Sequence, residues 1–470
     1  MSKKIVIIGA GTGGYGAAFM AADLGMDVTL IDKNEKAGGV CLQRGCIPSK
    51  ALLHVAKLLN ETKEAEHWGI KFGKPEIDVN RIREWKNKVI SHMTGGLGQL
   101  IKQRKINFIQ GTATFINSSK IKVEKAEGGT EELTFDYAIL ATGSVPAKVP
   151  SLDIGSKRIL DSTTALEIED IPKKLLVVGG GYIGLELGTV YAALGSKVIV
   201  VEMTSGLLPG ADRDLVSILS KRVNSMMENV YLNTKVVDIK ETKSGLKVTF
   251  EGDKVEEKEQ TFDKVLVSVG RKPVTQGLGL ENTKIQLDDK GFVKVDSQRR
   301  TDDPNIFAVG DIVGNPMLAH KATAEGKVVA EVIAGHKVVF EPAAIPAVVF
   351  TDPELAWVGL NETEAKEKGI KIEVAKFPWA ASGRAKTLER LDGLTKLIID
   401  PETERILGMG IVGAGAGELI AEGTLAVEMA ALAKDVALTI HAHPTLSETV
   451  MESAESYFGE ATHIYRPKRK

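Results

Sequence analysis

The strongest constraint on this chain is a unit that occurs twice. Lys4–Ile8 is a short apolar run rich in β-branched residues, as a buried strand requires, and Gly9-Ala-Gly11-Thr-Gly-Gly14 follows it directly. A helical stretch then runs to Leu24 and stops at Gly25, a residue suited to a helix C-terminus. Residues 28–31 read as the next strand, closed by Asp32. Further along, residues 175–178 repeat the first strand and Gly179-Gly-Gly181-Tyr-Ile-Gly184 repeats the loop. The helix after it ends at Gly195, and the strand 198–201 leads to Glu202. The spacings agree: 16 residues separate Gly9 from Gly25 and Gly179 from Gly195, and 23 separate Gly9 from Asp32 and Gly179 from Glu202. A second pair of segments also matches. Phe135-Asp136 and Phe262-Asp263 each precede an apolar strand and then Gly-x-x-Pro, at Gly143 to Pro146 and Gly270 to Pro273.

In a strand–loop–helix–strand unit each glycine has a physical task. The first permits the tight turn after the strand, the second lets the backbone approach a pyrophosphate, and the third lets helix and strand pack closely. The helix N-terminus offers free N–H groups and a partial positive charge to the phosphates. One such loop alone is weak evidence. Two copies, each with its strand, helix and distant acid, predict two dinucleotide-binding units. The acid at the end of the second strand accepts hydrogen bonds from ribose hydroxyls. Glu202 favours a free 2′-hydroxyl and repels a 2′-phosphate, and Val201-Glu-Met-Thr204 has no basic residue, so the second site should take NAD rather than NADP. Asp32 makes the same argument for the adenine ribose of the first site.

With 470 residues the chain should form about three or four domains. From about Pro342 the pattern changes to mixed strands and helices, and 417–433, rich in Ala, Glu, Leu and Met, reads as one helix of a separate α+β domain. A hydrophobic content of 43% with 26% charged residues suits an ordinary globular protein, and a net charge of −2 argues against a nucleic-acid binder. The basic residues after Pro467 read as a solvated tail. No apolar stretch approaches the ~20 residues that span a bilayer, and the apolar run at 5–8 is too short for a signal peptide, so a cytoplasmic protein with no membrane association is expected.

Only two cysteines are present, Cys41 and Cys46, in Gly38-Gly-Val-Cys41-Leu-Gln-Arg-Gly-Cys46-Ile-Pro-Ser-Lys50. A close pair in a cytosolic chain points to redox chemistry or metal binding. No further metal ligands stand nearby, and the alternative to redox chemistry is two inert buried thiols. A helical pattern continues from Pro48 through 51–59, which places Cys46 near a helix N-terminus, where a thiolate is stabilised. The glycines would let the two α-carbons approach within the ~7 Å that a disulfide needs.

These residues resemble the FAD-dependent pyridine nucleotide–disulfide oxidoreductases, and the resemblance covers essentially the whole chain. Gly-Gly-x-Cys-Leu-x-x-Gly-Cys-Ile-Pro-Ser-Lys is similar to the family's active-site segment, and within the family it is most similar to the branch that oxidises a dihydrolipoyl dithiol with NAD+. The resemblance implies an α/β fold with two Rossmann-like dinucleotide-binding domains, for FAD and NAD, plus a C-terminal α+β dimerisation domain. The expected boundaries are 1–147 for the FAD-binding domain, 148–270 for the NAD-binding domain, 271–341 for a central domain completing the FAD site, and 342–470 for the interface domain. FAD contacts are implied for Gly9, Gly11, Gly14, Asp32, Lys50, Thr142, Gly143, Asp311, whose carboxylate would bind the ribityl chain, and Ala319. NAD contacts are implied for Gly179, Gly181, Gly184, Glu202 and Gly270. Cys41 and Cys46 would form the redox disulfide. His443, in His441-Ala-His-Pro-Thr-Leu-Ser-Glu448, would be the acid–base group facing the disulfide of the other subunit of a homodimer, and Glu448 would orient its imidazole. His441 is left as structural. Lys50 and Glu186 would form an ion pair beside the flavin. The implied partners are a second copy and the lipoyl domains of a 2-oxo acid dehydrogenase complex or the glycine-cleavage H protein. Val40, Gln43 and Arg44 depart from the common pattern and are expected to tune the disulfide from a neighbouring loop. Glutathione-type reductases would carry basic residues at Glu202, and mercuric-ion reductases would carry extra C-terminal cysteines. A transhydrogenase would not keep the cysteine pair in this form. A non-catalytic role with FAD kept only for stability is disfavoured by the intact cysteine and His443–Glu448 segments.

Overall fold

The computed structural model describes residues 2–465, so the basic tail lies outside the described residues. The first repeat folds as expected: strand Lys4–Ile8, helix Thr12–Asp23, strand Asp27–Asp32. The two strands pair in parallel with Lys4 opposite Asp27 and Ile8 opposite Ile31. Ile5 to Ile8 are buried, as a strand covered on both faces must be. They are the centre of a seven-stranded sheet ordered Ile306–Ala308, Tyr137–Leu140, Lys4–Ile8, Asp27–Asp32, Asn107–Asn117, Lys120–Lys125, Thr130–Thr134. The first five strands are parallel, and the last two form an antiparallel extension. Residues 306–308, more than 160 positions beyond the 137–140 strand they pair with, thus return to the first sheet.

The second repeat builds a five-stranded parallel sheet ordered Asn229–Tyr231, Lys197–Val201, Lys174–Val178, Lys264–Val267, Ile159–Leu160. Its glycine loop opens the helix Tyr182–Leu194. The matching Gly-x-x-Pro segments do not lie apart. Ser144–Pro146 and Arg271–Pro273 pair antiparallel with each other, so the two halves clasp where each leaves its nucleotide unit. Val274 donates to the Gly143 carbonyl at 2.9 Å and Ala147 to the Gly270 carbonyl at 2.9 Å, closing both ends of the clasp.

The C-terminal part is an antiparallel sheet ordered Ala347–Val349, Glu354–Gly359, Ile406–Gly413, Leu394–Ile399, Glu373–Pro378, with helices packed on it. The helix expected over 417–433 is shorter. It spans Ala416–Glu428, after which Ala430 adopts φ +52° and a second helix, Ala433–Leu438, begins. Composition favours helix throughout, but a left-handed residue turns the chain back onto the sheet. One apolar core joins all three parts: Leu52 and Leu53, the second sheet's Leu175 and Val177, and Val349, Leu355 and Val412 of the C-terminal sheet. That shared core holds the pieces of the site described next in one register.

Candidate active site

The two glycine loops are superimposable in their chemistry. Gly9 has φ +102° and Gly179 φ +110°, and a Cβ there would lie 2.3 Å from the Ala141 carbonyl oxygen and 2.6 Å from that of Ser268. A Cβ on Gly14 would meet the Gly9 oxygen at 1.8 Å, and one on Gly184 the Gly179 oxygen at 2.3 Å, so these glycines are required by helix–strand packing. The middle glycines differ. A Cβ on Gly11 has no neighbour closer than 3.9 Å, and one on Gly181 none within 4 Å. Nothing in the protein demands glycine at these two positions. Each leaves an open cradle at a helix N-terminus, which fits a pyrophosphate.

The acids do more than face a ribose. Asp32 accepts from the Ala10 amide at 2.7 Å and from the Asn34 amide and side chain at 2.8 and 2.7 Å. Glu202 accepts from the Gly180 and Thr204 amides, both at 2.7 Å. Each carboxylate fixes its own glycine loop from the adjoining strand and keeps lone pairs for a hydroxyl donor. The repeat therefore extends to a shared hydrogen bond, from the residue after the first glycine to the distant acid.

The first loop opens into a cavity of about 520 Å³ that also receives Cys41, Cys46, Lys50, Glu186 and Asp311. Its residues fit a flavin dinucleotide: an open glycine cradle, an acid at the ribose end, and a cysteine pair with a half-buried ion pair further along. Cys41 lies in a short helix, Gly39–Arg44, where a loop was expected. The chain breaks at Gly45, and Cys46 is the first residue of the helix Cys46–Glu64. The two thiols are hydrogen-bonded to each other. That bond draws the Cys46 thiol down to about 7, against the opposing effect of burial and with help from the Lys50 ammonium. The same bond, with burial, pushes the Cys41 thiol up. The proton is thus held on Cys41, and Cys46, at the helix N-terminus, carries the negative charge.

Lys50 lies one helical turn beyond Cys46 and reaches Glu186 at 2.9 Å, whose side chain is only 5% exposed. Asp311 follows the strand Ile306–Ala308 and accepts from the Ser144 hydroxyl. Arg271 donates to that hydroxyl at 2.7 Å and to the Ser144 carbonyl at 2.8 Å. Ser144 and Arg271 line the cavity and were missed in the sequence. The repeated Gly-x-x-Pro segments that carry them were recognised as alike, but likeness does not reveal that they pair. Thr142 donates to the Val274 carbonyl at 2.8 Å across the same clasp, next to Gly143 at φ +71°, and Gly270, at φ +127°, opens its opposite strand. Ala319 lines the cavity as the first residue of the helix Ala319–Ala334.

Gln43 and Arg44 do not flank the thiols as expected. Gln43 donates to the Lys36 carbonyl at 2.7 Å and Arg44 to the Asn34 side chain at 2.9 Å, so the helical turn of 39–44 takes Arg44 to the Asp32 end of the cavity while Gln43 does not line it. Val40 stays partly exposed on the same short helix.

His443 and Glu448 form a dyad elsewhere. The His443 Nδ1 lies 2.8 Å from the Glu448 carboxylate, whose other oxygen accepts the Thr445 amide at 2.8 Å. Burial would raise the Glu448 carboxyl, but the Thr445 amide and His443 outweigh it and hold the group below the usual carboxylate range. The His443 side chain is 69% exposed and does not line the cavity of its own chain. His441 is tied to Glu422 at 2.7 Å.

A cysteine pair beside a flavin-sized cavity, next to a second nucleotide loop, defines a flavoprotein disulfide oxidoreductase. The family model described as pyridine nucleotide-disulphide oxidoreductase matches residues 3–326, and the model of that family's dimerisation domain matches 345–454. The chain belongs to this family of FAD-dependent, NAD(P)-linked enzymes. Over its whole length it is 50% identical to the dihydrolipoyl dehydrogenase of Vibrio cholerae, covering 99% of that protein. It is 46% identical to that of Geobacillus stearothermophilus, over 99% of this chain and 98% of the other. Among solved structures it is similar to LpdA from Mycobacterium tuberculosis, with a TM-score of 0.89 and 28% identity over 96% of this chain and 99% of that one. It is also similar to the HOCl-induced flavoprotein disulfide reductase RclA from Escherichia coli, with a TM-score of 0.86 and 28% identity over 97% and 99%. Among the described residues no helix is long and apolar enough to cross a membrane.

Proposed function

We propose that this chain oxidises a dihydrolipoyl dithiol to its cyclic disulfide and reduces NAD+ to NADH, working as a homodimer on lipoyl groups carried by a 2-oxo acid dehydrogenase complex or a glycine-cleavage protein. One observation carries the reading: Cys46 stands at a helix N-terminus with Cys41 and the Lys50–Glu186 ion pair in the first nucleotide cavity, surroundings that hold its thiol low. The full-length likeness to dihydrolipoyl dehydrogenases supports the choice of dithiol.

In the oxidised enzyme Cys41 and Cys46 form a disulfide. The partner subunit's His443 takes a proton from one substrate thiol, and Glu448 holds that imidazole by its Nδ1 so that Nε2 faces the substrate. The substrate thiolate attacks the Cys41 sulfur. A mixed disulfide forms, the Cys41–Cys46 bond breaks, and Cys46 leaves as the thiolate its surroundings favour. The second substrate thiol loses its proton and attacks the substrate sulfur of the mixed disulfide. The cyclic disulfide departs, and Cys41 leaves as a thiol, having taken up a proton. The substrate is oxidised by two electrons and the cysteine pair reduced by two. Bound FAD supplies the two-electron acceptor through which the reduced pair is reoxidised and NAD+ receives hydride. Gly9, Gly11, Gly14, Asp32, Thr142, Gly143, Asp311 and Ala319 would hold FAD, and Lys50 would place a cation beside its ring, where reduction adds negative charge. Gly179, Gly181, Gly184, Glu202 and Gly270 would hold NAD+, with Glu202 binding the unphosphorylated ribose.

Anaerobic addition of dihydrolipoamide to the holoprotein tests this. The visible flavin absorbance should bleach in the wild type and persist in Cys41→Ser. A flavin that NADH reduces but dihydrolipoamide does not would overturn the assignment of the dithiol.

A further inference from the structure

Phe350 belongs to the C-terminal part of the chain, directly after the strand Ala347–Val349, yet it touches the ion pair beside the cysteines twice. Its ring stands over the Lys50 ammonium, 4.4 Å from centroid to Nζ. Its amide donates to the Glu186 oxygen that Lys50 does not use, at 3.0 Å. One residue thus holds both partners, the cation by a π face and the anion by an N–H.

The segment that follows is held firmly. Asp352 binds Arg222 at 3.3 Å and Arg390 at 2.6 Å, and Glu354 accepts the Gly417 amide at 2.8 Å. The ring also packs into the core that joins all three parts of the molecule. Phe350 is therefore an anchored end of the C-terminal sheet, set against a charge pair on two other elements. Lys50 is 33% exposed on its side chain, and the ring covers one side of the ammonium.

We infer that Phe350 is a positioning residue for the redox cysteines: by covering the Lys50 ammonium and fixing Glu186, it sets the electrostatic field in which Cys46 ionises. The groups facing Cys46 are Cys41 from the preceding helix, Lys50 from its own, Glu186 and Tyr182 from the 182–194 helix, and Tyr15 from the first helix. Phe350 acts on two of these five, one that favours the thiolate and one that opposes it. Loss of the ring admits water to Lys50 and weakens the favourable member, while the amide bond to Glu186 remains.

The test titrates one thiol in the flavin-loaded enzyme. In a Cys41→Ser background, the pH dependence of iodoacetamide alkylation at Cys46 is compared for Phe350, Phe350→Leu and Phe350→Tyr. The Leu variant should move the midpoint up by roughly half a unit, and the Tyr variant, which keeps a π face, should return it to the parent value. An unchanged midpoint in Phe350→Leu overturns the inference. So does an equal shift in Phe350→Leu and Phe350→Tyr, which would assign the residue to packing alone. The reading needs no turnover, so it stands apart from the identity of the dithiol substrate.

Discussion

Replacing Gly181 by alanine should weaken NAD+ binding while leaving the fold untouched, whereas replacing Gly184 should destabilise the fold itself. The contrast follows from the space around each residue. At Gly181 the backbone is extended, with φ −78° and ψ 177°, which alanine adopts freely, and a new methyl meets nothing within 4 Å. Alanine in place of glycine at this helix N-cap should cost only a few tenths of a kcal/mol. The methyl nevertheless occupies the cradle through which a pyrophosphate would approach the backbone. Overpacking of a close-fitting contact costs about 1–3 kcal/mol, so the NAD+ dissociation constant should rise roughly 5- to 150-fold. At Gly184 the methyl would lie 2.3 Å from the Gly179 carbonyl oxygen and 2.7 Å from the Ser268 hydroxyl. Backbone cannot yield cheaply there, and the full overpacking penalty falls on folding. Calorimetric titration with NAD+, paired with thermal unfolding of each holoprotein, measures both. Wild-type NAD+ affinity in Gly181→Ala, or an unchanged melting midpoint in Gly184→Ala, would refute the reasoning.

Three further outcomes are expected. Glu448→Gln removes a charge-assisted bond to His443 worth about 1.5–3 kcal/mol, and the exposure of His443 in a single chain places the loss towards the lower figure; kcat should fall about 10-fold with flavin content unchanged. In the dithiol-reduced enzyme Cys46 should alkylate with a midpoint near about 7, because its thiol is depressed from the ordinary value, so the thiolate persists above that pH and is lost below it; Lys50→Met should move the midpoint up. Lys396 is buried and held by Asp212, Asp214 and Glu362 at 2.6–2.8 Å; Lys376 also reaches Asp214 and Glu362, at 2.8 and 3.5 Å, so Lys396→Met leaves the buried Asp212 without its cation and should cost about 3–5 kcal/mol in denaturant unfolding. The Asp214 carboxyl is held low by Lys376 and Lys396 against burial, so its contribution is present at neutral pH and is lost as the pH falls through its depressed value.

The strands, helices and acids of the two nucleotide units are legible because each rests on local periodicity and fixed spacing. Lys50 and Glu186, taken from the resemblance alone, lie 136 residues apart and meet at 2.9 Å. What could not be read is what depends on tertiary pairing. Arg271 and Ser144 come together only because two distant Gly-x-x-Pro strands pair. Arg44 faces the ribose end only because 39–44 is helical, which two glycines at 38 and 39 disguise as a loop. Phe350 touches Lys50 across 300 residues, and no local pattern marks an aromatic ring that will cover a cation. The end of the 416–428 helix was hidden for a different reason: composition continues to favour helix where the sheet beneath requires a turn.

The most direct test of the account is the appearance of NADH when the purified holoprotein meets free dihydrolipoamide and NAD+, with NADP+ in a parallel reaction. Rapid turnover with NAD+ and little with NADP+ is the predicted result, the Glu202 carboxylate excluding the 2′-phosphate. Flavin-loaded protein that turns over with neither nucleotide, or with NADP+ as readily as with NAD+, would contradict it.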